Sequence, residues 1–444
     1  MLNFQIFLFF ILISVWALPE TILIRNTCLI LGAIFSLPTL IQYRKYFSFQ
    51  SVTISIFILF IWVTLHLIFF GQDPDLQWRE YGSIWKRSVI GFIYAMGMGI
   101  LLLKYYSRTR VVILCLILST PTVIFLIKYC FTIYEHDIYF RVPDFMKIYS
   151  GSAPYYIPKT AYSIFCFPLL FFSSKIISKY RDNNFFNLIP FFILSISIVL
   201  VAFYLDKNLT GIVLSLSTSI YFLAIFINSY YRKNPNKYFY LPLFAIIFFM
   251  AAANFLPQTQ IFLDKFAKDM VVTTNISAFQ DWKLLNAPPP KNEEGIRVND
   301  KYYKRITWAL SGVKLTLIEP LGYGLVEGSY GKLAKKYWPD SVGLTQSHLG
   351  WLDFALGLGF PGLFIIWLSI YCGVIGVGDA PYGLKVFIQS VLVSNFLVWT
   401  FSETSQRVYL DCLIFYIGMA AGVSLALRGL RKPVNNISAS AEKI

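Results

Sequence analysis

Long apolar runs alternate with short polar links along most of the chain. The runs fall at about 3–19, 22–42, 50–70, 88–103, 111–132, 159–174, 185–205, 209–228, 238–256, 348–375, 384–401 and 407–427. A helix of roughly 20 apolar residues is what the ~30 Å hydrocarbon layer of a bilayer requires. The pattern therefore predicts an all-α polytopic membrane protein of about twelve spans, a single membrane domain over residues 1–444. The first run is read as the first span because it lacks the basic leader and small-x-small site of a cleavable signal.

One segment breaks the rhythm. Residues 257–347 form a long polar insertion between the ninth and tenth runs. It holds Pro288-Pro289-Pro290 and a mixed-charge stretch, then Tyr303-Lys304-Arg305-Ile306-Thr307-Trp308-Ala309-Leu310-Ser311-Gly312-Val313. There Ile306, Ala309/Leu310 and Val313 share a face at the 3.6-residue period, which predicts an amphipathic helix. That helix is expected to stop before Glu319-Pro320-Leu321-Gly322-Tyr323-Gly324, a turn-forming sequence. From 348 the chain turns apolar again. A helix starting there would carry His348, Ala355, Gly359 and Gly362 on one face, a titratable ring followed by small residues. Small residues on a membrane helix admit close approach of another backbone.

Composition sharpens this picture. The chain is 57% hydrophobic and 14% charged, with a mean hydropathy of +0.61, more apolar surface than a soluble domain can bury. The net charge of +15 does not point to nucleic acid, because it is concentrated in short alternate links: Tyr43-Arg44-Lys45, 104–110, 175–181, 232–237, Lys385 and the 428–432 tail. The positive-inside rule places these links and both termini in the cytoplasm. The six cysteines lie in or beside apolar runs without CxxC spacing and read as packing residues. No HExxH, Asp-x-Asp, Walker loop or Gly-x-Ser-x-Gly is present, so neither a metal nor a nucleotide cofactor is expected.

The ionisable residues at the opposite face are harder to explain by topology. Lys86 and Arg87 enter the fourth span, and Lys207 sits in the tight Asp206-Lys207-Asn208 link. Arg305 and His348 lie in and after the insertion, and Glu403 and Arg407 separate the last two spans. Charge at a membrane boundary is costly unless it has a function or a partner. Cations with one histidine suit a phosphate-bearing ligand: arginine forks onto phosphate oxygens, lysine acts as a point charge, and imidazole accepts a proton near neutral pH. Asp353, inside the tenth run, is expected to pair with a group the sequence does not name, while His66 and His136 read as structural or surface residues.

With these residues in view, the chain resembles the O-antigen ligase and polymerase superfamily of bacterial envelope proteins. The family pattern is His, then Asn, Ser or Gln, nine residues, and Gly-x-x-Gly. His348, Gly359 and Gly362 match it, and Leu349 departs at the second position. Arg305-Ile306-Thr307-Trp308-Ala309-Leu310 and Glu319-Pro320-Leu321-Gly322-Tyr323-Gly324 look like the family's arginine-bearing periplasmic helix and its Pro-x-x-Gly-x-Gly turn. Lys207 stands where the family usually has an arginine, and Lys86 or Arg87 resembles its basic residue at an early span.

The resemblance implies a GT-C-like glycosyltransferase of the bacterial inner membrane, with its active site on the periplasmic side. It implies an undecaprenyl-diphosphate-linked glycan donor, a lipid A–core acceptor and membrane lipids as partners. Of the site residues, it makes His348 and Arg305 catalytic, with Lys86, Arg87, Lys207, Arg305 and Arg407 binding substrate. The alternatives are an O-antigen polymerase and a protein O-oligosaccharyltransferase. From a different class, a polytopic transporter would place its ionisable residues near the midplane, where only Asp353 and Lys128 lie.

Overall fold

A computed structural model describes residues 1–16, 18, 21–47, 50–133, 159–178, 189–205, 209–233, 267–402 and 407–431. Among these residues every regular element is helical, apart from two isolated β-bridges. In chain order the helices are α1 (Leu2–Trp16), α2 (Ile22–Tyr43), α3 (Ser51–Phe69), α4 (Pro74–Glu80), α5 (Lys86–Lys104), α6 (Arg108–Ile133), α7 (Lys159–Ser178), α8 (Ile189–Leu205) and α9 (Leu209–Lys233). The polar insertion contributes α10 (Asp300–Ile318) and α11 (Ser329–Tyr337). The last three are α12 (Gly350–Gly376), α13 (Tyr382–Phe401) and α14 (Arg407–Arg431).

Among the described residues, seven helical stretches are long and apolar enough to cross a membrane, and four more are apolar but shorter. The expected run at 238–256 lies outside the described residues. Of the six cysteines, four are buried and none is in a disulfide.

At the centre stands α14, buried over nearly its whole length, as expected of a helix with no polar face. Small residues let its neighbour α5 come very close: a Cβ on Gly422 would sit 2.0 Å from the Met96 carbonyl, and one on Gly99 2.3 Å from that of Met419. A third helix, α2, packs on α5 in parallel register, Leu29 against Gly91 and Gly32 against Tyr94. A buried polar chain links them, as Gln5 Nε2 donates to Ser36 Oγ (3.0 Å), which donates to the Tyr94 carbonyl (3.0 Å).

The described part of the insertion builds a small second core from Trp282, Val298, Tyr303, Trp308, Leu315, Tyr330 and Leu333, seated on Leu356 of α12. Helix α10 forms as predicted, and its apolar stripe is not the packed face. Leu310, Val313 and Leu317 are exposed, while Tyr303, Thr307, Trp308, Ser311 and Leu315 are buried. The core needs the bulkier aromatic face, which also brings hydroxyls that bond within the protein: Thr307 Oγ1 donates to the Tyr303 carbonyl and Ser311 Oγ pairs with Tyr330 OH.

One expectation does fail, that of a helix from 348. It starts at Gly350 and is interrupted at Gly359, where φ is 70° and ψ −178°. Only glycine is at ease in that conformation. Pro361 removes the N–H that the Gly357 carbonyl would accept in an unbroken helix. The freed groups are all re-paired by other segments. Tyr323 N–H donates to the Leu356 carbonyl (2.8 Å), Gly324 N–H to that of Gly357 (2.7 Å), and Trp62 Nε1 to that of Leu358 (2.9 Å). Phe360 N–H, released from its own helix, donates to the Pro320 carbonyl (2.9 Å). The 320–324 turn is thus inserted into the break in α12. The close approach expected of the small residues is real, but at Gly359 the approaching backbone is this turn, 2.5 Å from a Cβ placed there.

Gly359→Ala should therefore cost on the order of 3 kcal/mol, from a forbidden backbone conformation and a clash with the turn. Gly82→Ala, with nothing within 4 Å of the added carbon, should leave stability unchanged. Thermal unfolding of the two variants in detergent checks both.

Candidate functional site

His348 stands where the insertion meets α12. It is the one non-glycine residue with positive φ among the described residues, at 63°. The left-handed region costs a residue with a Cβ about 1–2 kcal/mol, so the surrounding bonds must impose it. Ser347 N–H donates to Asp353 Oδ1 (2.7 Å), Asp353 N–H donates to the Leu349 carbonyl (2.9 Å), and Gly350 N–H to the Ser402 carbonyl (2.9 Å). Asp353, whose partner the sequence did not name, is a buried brace of the His348 backbone in the first turn of α12, where the helix dipole favours a carboxylate.

The imidazole is half-buried and stacks on the Trp308 indole, with ring centroids 5.0 Å apart and planes 16° from parallel. The indole is itself held, since Nε1 donates to the Trp282 carbonyl (2.8 Å). Arg305 lies one turn before Trp308, at the edge of the α10 face whose Gly312 meets Ser347 and Leu352. Residues three apart on a helix are about 5–6 Å apart at Cβ, so Arg305 and His348 belong to one neighbourhood. The Arg305 side chain is exposed.

Tyrosines nearby are poor proton acceptors. Burial pushes the Tyr330 hydroxyl well above its usual range, reinforced by the charge of Asp353 against an opposing hydrogen bond from Ser311. Burial and the charge of Asp281 push Tyr303 up to about 12.

Between α11 and the strand of chain leading to His348 lies a cleft of about 450 Å³, lined by Lys332, Lys335, Ser341 and Thr345 among others. A larger groove, about 730 Å³, runs between α1 and α6 and includes none of the candidate residues. No group of three or more His, Cys, Asp or Glu that could hold a metal is found among the described residues.

The other predicted residues fare differently. Lys86 is exposed at the start of α5. Arg87 is not free: its Nε lies 3.0 Å from Asp411 Oδ2 on α14, and Ser88 Oγ donates to Asp411 Oδ1 (2.8 Å). Arg407 opens α14, one turn before Asp411, so its backbone is at the same end of the bundle. Lys207 lies outside the described residues.

Several positioning residues escaped the sequence reading. Buried Glu80, at the end of α4, accepts from Val326 N–H (2.6 Å) and fixes the chain just beyond the inserted turn. His66 is structural, as expected, but specifically so: its Nε2 is 2.8 Å from the Leu321 carbonyl and its Nδ1 3.1 Å from Gln77 Nε2. With Nε2 protonated, all three groups are satisfied. No local pattern marks either residue. The only hint is that a charged and a titratable side chain fall in or beside an early apolar run.

No protein-family model matches the chain, and neither a curated protein nor a solved structure does.

Two outcomes follow from this geometry. His348→Asn and His348→Val both remove the imidazole, but asparagine tolerates left-handed backbone and valine does not. The valine variant should melt lower, by the equivalent of about 1–2 kcal/mol. Equal melting temperatures would show that the φ is not imposed. The second concerns Glu319, which accepts from Lys336 Nζ (2.6 Å) and Tyr337 OH (2.5 Å). Burial pushes its carboxyl up, but these bonds prevail and hold it below the usual range. A depressed carboxylate contributes stability above its unfolded pKa, about 4.3, and loses it as pH falls through the folded value. Hydrogen exchange of 329–338 should therefore quicken below about pH 4, and Glu319→Gln should remove that dependence.

Proposed function

We propose that this chain is a glycosyltransferase of the O-antigen ligase type, moving a glycan from undecaprenyl diphosphate to a sugar hydroxyl of lipid A–core. The observation that carries the reading is the stacked His348, held in a strained conformation in the neighbourhood of Arg305. Strained backbone that several bonds over-determine is concentrated at functional sites. The matching His348, Gly359 and Gly362 spacing and the 319–324 turn add to it. The twelve-span GT-C-like arrangement, the inner-membrane location, the cytoplasmic termini and the periplasmic site belong to the same proposal. The exposed Leu310, Val313 and Leu317 stripe of α10 fits a helix lying at that membrane surface.

In this mechanism His348 takes the proton of the acceptor hydroxyl. The oxygen attacks the anomeric carbon from the face opposite the diphosphate, the bond from carbon to the diphosphate oxygen breaks, and the polyprenyl diphosphate departs with the electron pair. The sugar is inverted. Arg305, Lys86, Arg87, Lys207 and Arg407 stabilise the growing charge on the leaving group. Holding two amphiphiles in one lateral cleft supplies much of the rate by proximity. The lipid diphosphate is a sufficient leaving group without metal or ATP.

His348→Ala should abolish transfer in a strain lacking the wild-type gene while membrane insertion and yield persist. Long chains should disappear from lipopolysaccharide and accumulate on the lipid carrier. Near-normal lipopolysaccharide would remove His348 from the mechanism, and core bearing a single repeat unit would identify a polymerase instead.

A further inference from the structure

Three helices that begin at one end of the bundle bring two arginines and one aspartate together. In the parallel packing of α2 on α5, position i of α2 faces position i + 62 of α5, as Leu29 with Gly91 and Gly32 with Tyr94 show. Continued by one turn, that register sets Arg25 beside Arg87. The electrostatics agree: Arg25 feels the charges of both Arg87 and Asp411. Among the described residues the carboxylate that meets these arginines is Asp411, and it is already engaged. Asp411 is buried, with Oδ2 on Arg87 Nε (3.0 Å) and Oδ1 on Ser88 Oγ (2.8 Å). Arg25 is half-buried, and its Nε, out of contact with solvent, has no hydrogen-bond partner. Arg87 spends only its Nε on Asp411, which leaves its two terminal amino groups to face elsewhere. Among the described residues, two guanidiniums against one carboxylate leave a net positive charge there, with exposed Lys86 next door.

An uncompensated buried charge is costly, and a planar fork of donors fits phosphate oxygens best. Arg25 and Asp411 lie within the first two turns of α2 and α14, and Arg87 lies just past the π-helical stretch Tyr81–Trp85 that joins α4 to α5; a lipid headgroup would sit at that depth, with an acyl chain alongside. We infer that Arg25 and Arg87, with Asp411 fixing Arg87, form a two-guanidinium clamp for the phosphate headgroup of an amphiphile. Arg25, which no sequence pattern marked, supplies the free fork. The identity of that amphiphile as the lipid-diphosphate donor rests on the function proposed above; the clamp itself does not.

The test is binding of two probes, undecaprenyl diphosphate and dioleoylphosphatidylglycerol, to the purified full chain in detergent by native mass spectrometry. Wild type, Arg25→Gln, Arg25→Lys and His348→Ala are compared. The clamp predicts that Arg25→Gln weakens one of the probes at least tenfold, that Arg25→Lys restores part of the loss, and that His348→Ala binds like wild type. Loss of the diphosphate probe assigns the clamp to the donor. Loss of phosphatidylglycerol alone keeps the clamp and removes it from the donor site. Unchanged binding of both probes by Arg25→Gln overturns the proposal. The melting temperature guards against a folding artefact: removing an unpaired guanidinium should leave it unchanged or raise it. A marked fall with unaltered binding would make Arg25 a structural residue.

Discussion

The break in α12 at Gly359 exposes backbone groups that a membrane-embedded helix cannot leave unpaired, because lipid offers no hydrogen bonds in exchange. The 320–324 turn supplies two donors and one acceptor, and Trp62 supplies a third donor. Gly322 and Gly357 serve contact between backbones, since a Cβ on Gly322 would meet the Gly357 carbonyl at 2.5 Å and one on Gly357 the Leu325 carbonyl at 2.2 Å. The joint ties the polar insertion to the apolar bundle by main chain. Glu80 and His66 then fasten the same turn from α4 and α3.

The placement of His348 depends on that joint. The insertion runs through α10 and α11 and returns to the start of α12, so the surroundings of the histidine are fixed: Trp308 by the small second core, Gly350 by the Ser402 carbonyl and Ser347 by Asp353. A side chain in such a frame loses little freedom when a ligand arrives. The same end of the bundle carries Arg87 and Asp411, a buried charge pair between α5 and α14. Such pairs are weak contributors to stability after desolvation.

How much of this was legible in the sequence depended on distance along the chain. Helices read well because a bilayer demands uninterrupted apolar runs, and runs are local. Helix α10 and the turn after it were also visible, because the 3.6-residue period and Glu319-Pro320 are local signals. Which face of α10 packs was not legible, because the aromatic face is buried and the Leu310 and Val313 stripe is exposed. The start of α12 was misplaced by two residues because nothing local announces that His348 is left-handed; Asp353 and Ser402 impose it from outside. Arg87 was seen as a ligand-binding cation, but its partner lies 324 positions away and no pattern joins them. Arg25 sat inside an apolar run and gave no signal until packing set it beside Arg87.

The joint between turn and helix break is open to direct measurement by amide hydrogen exchange of Tyr323, Gly324 and Phe360 in lipid nanodiscs. If the turn is inserted as described, these three amides exchange as slowly as those in the middle of α14. Exchange at the rate of an exposed glycine turn would mean that the insertion is not anchored to α12, and the account of His348 built on that anchor would fail with it.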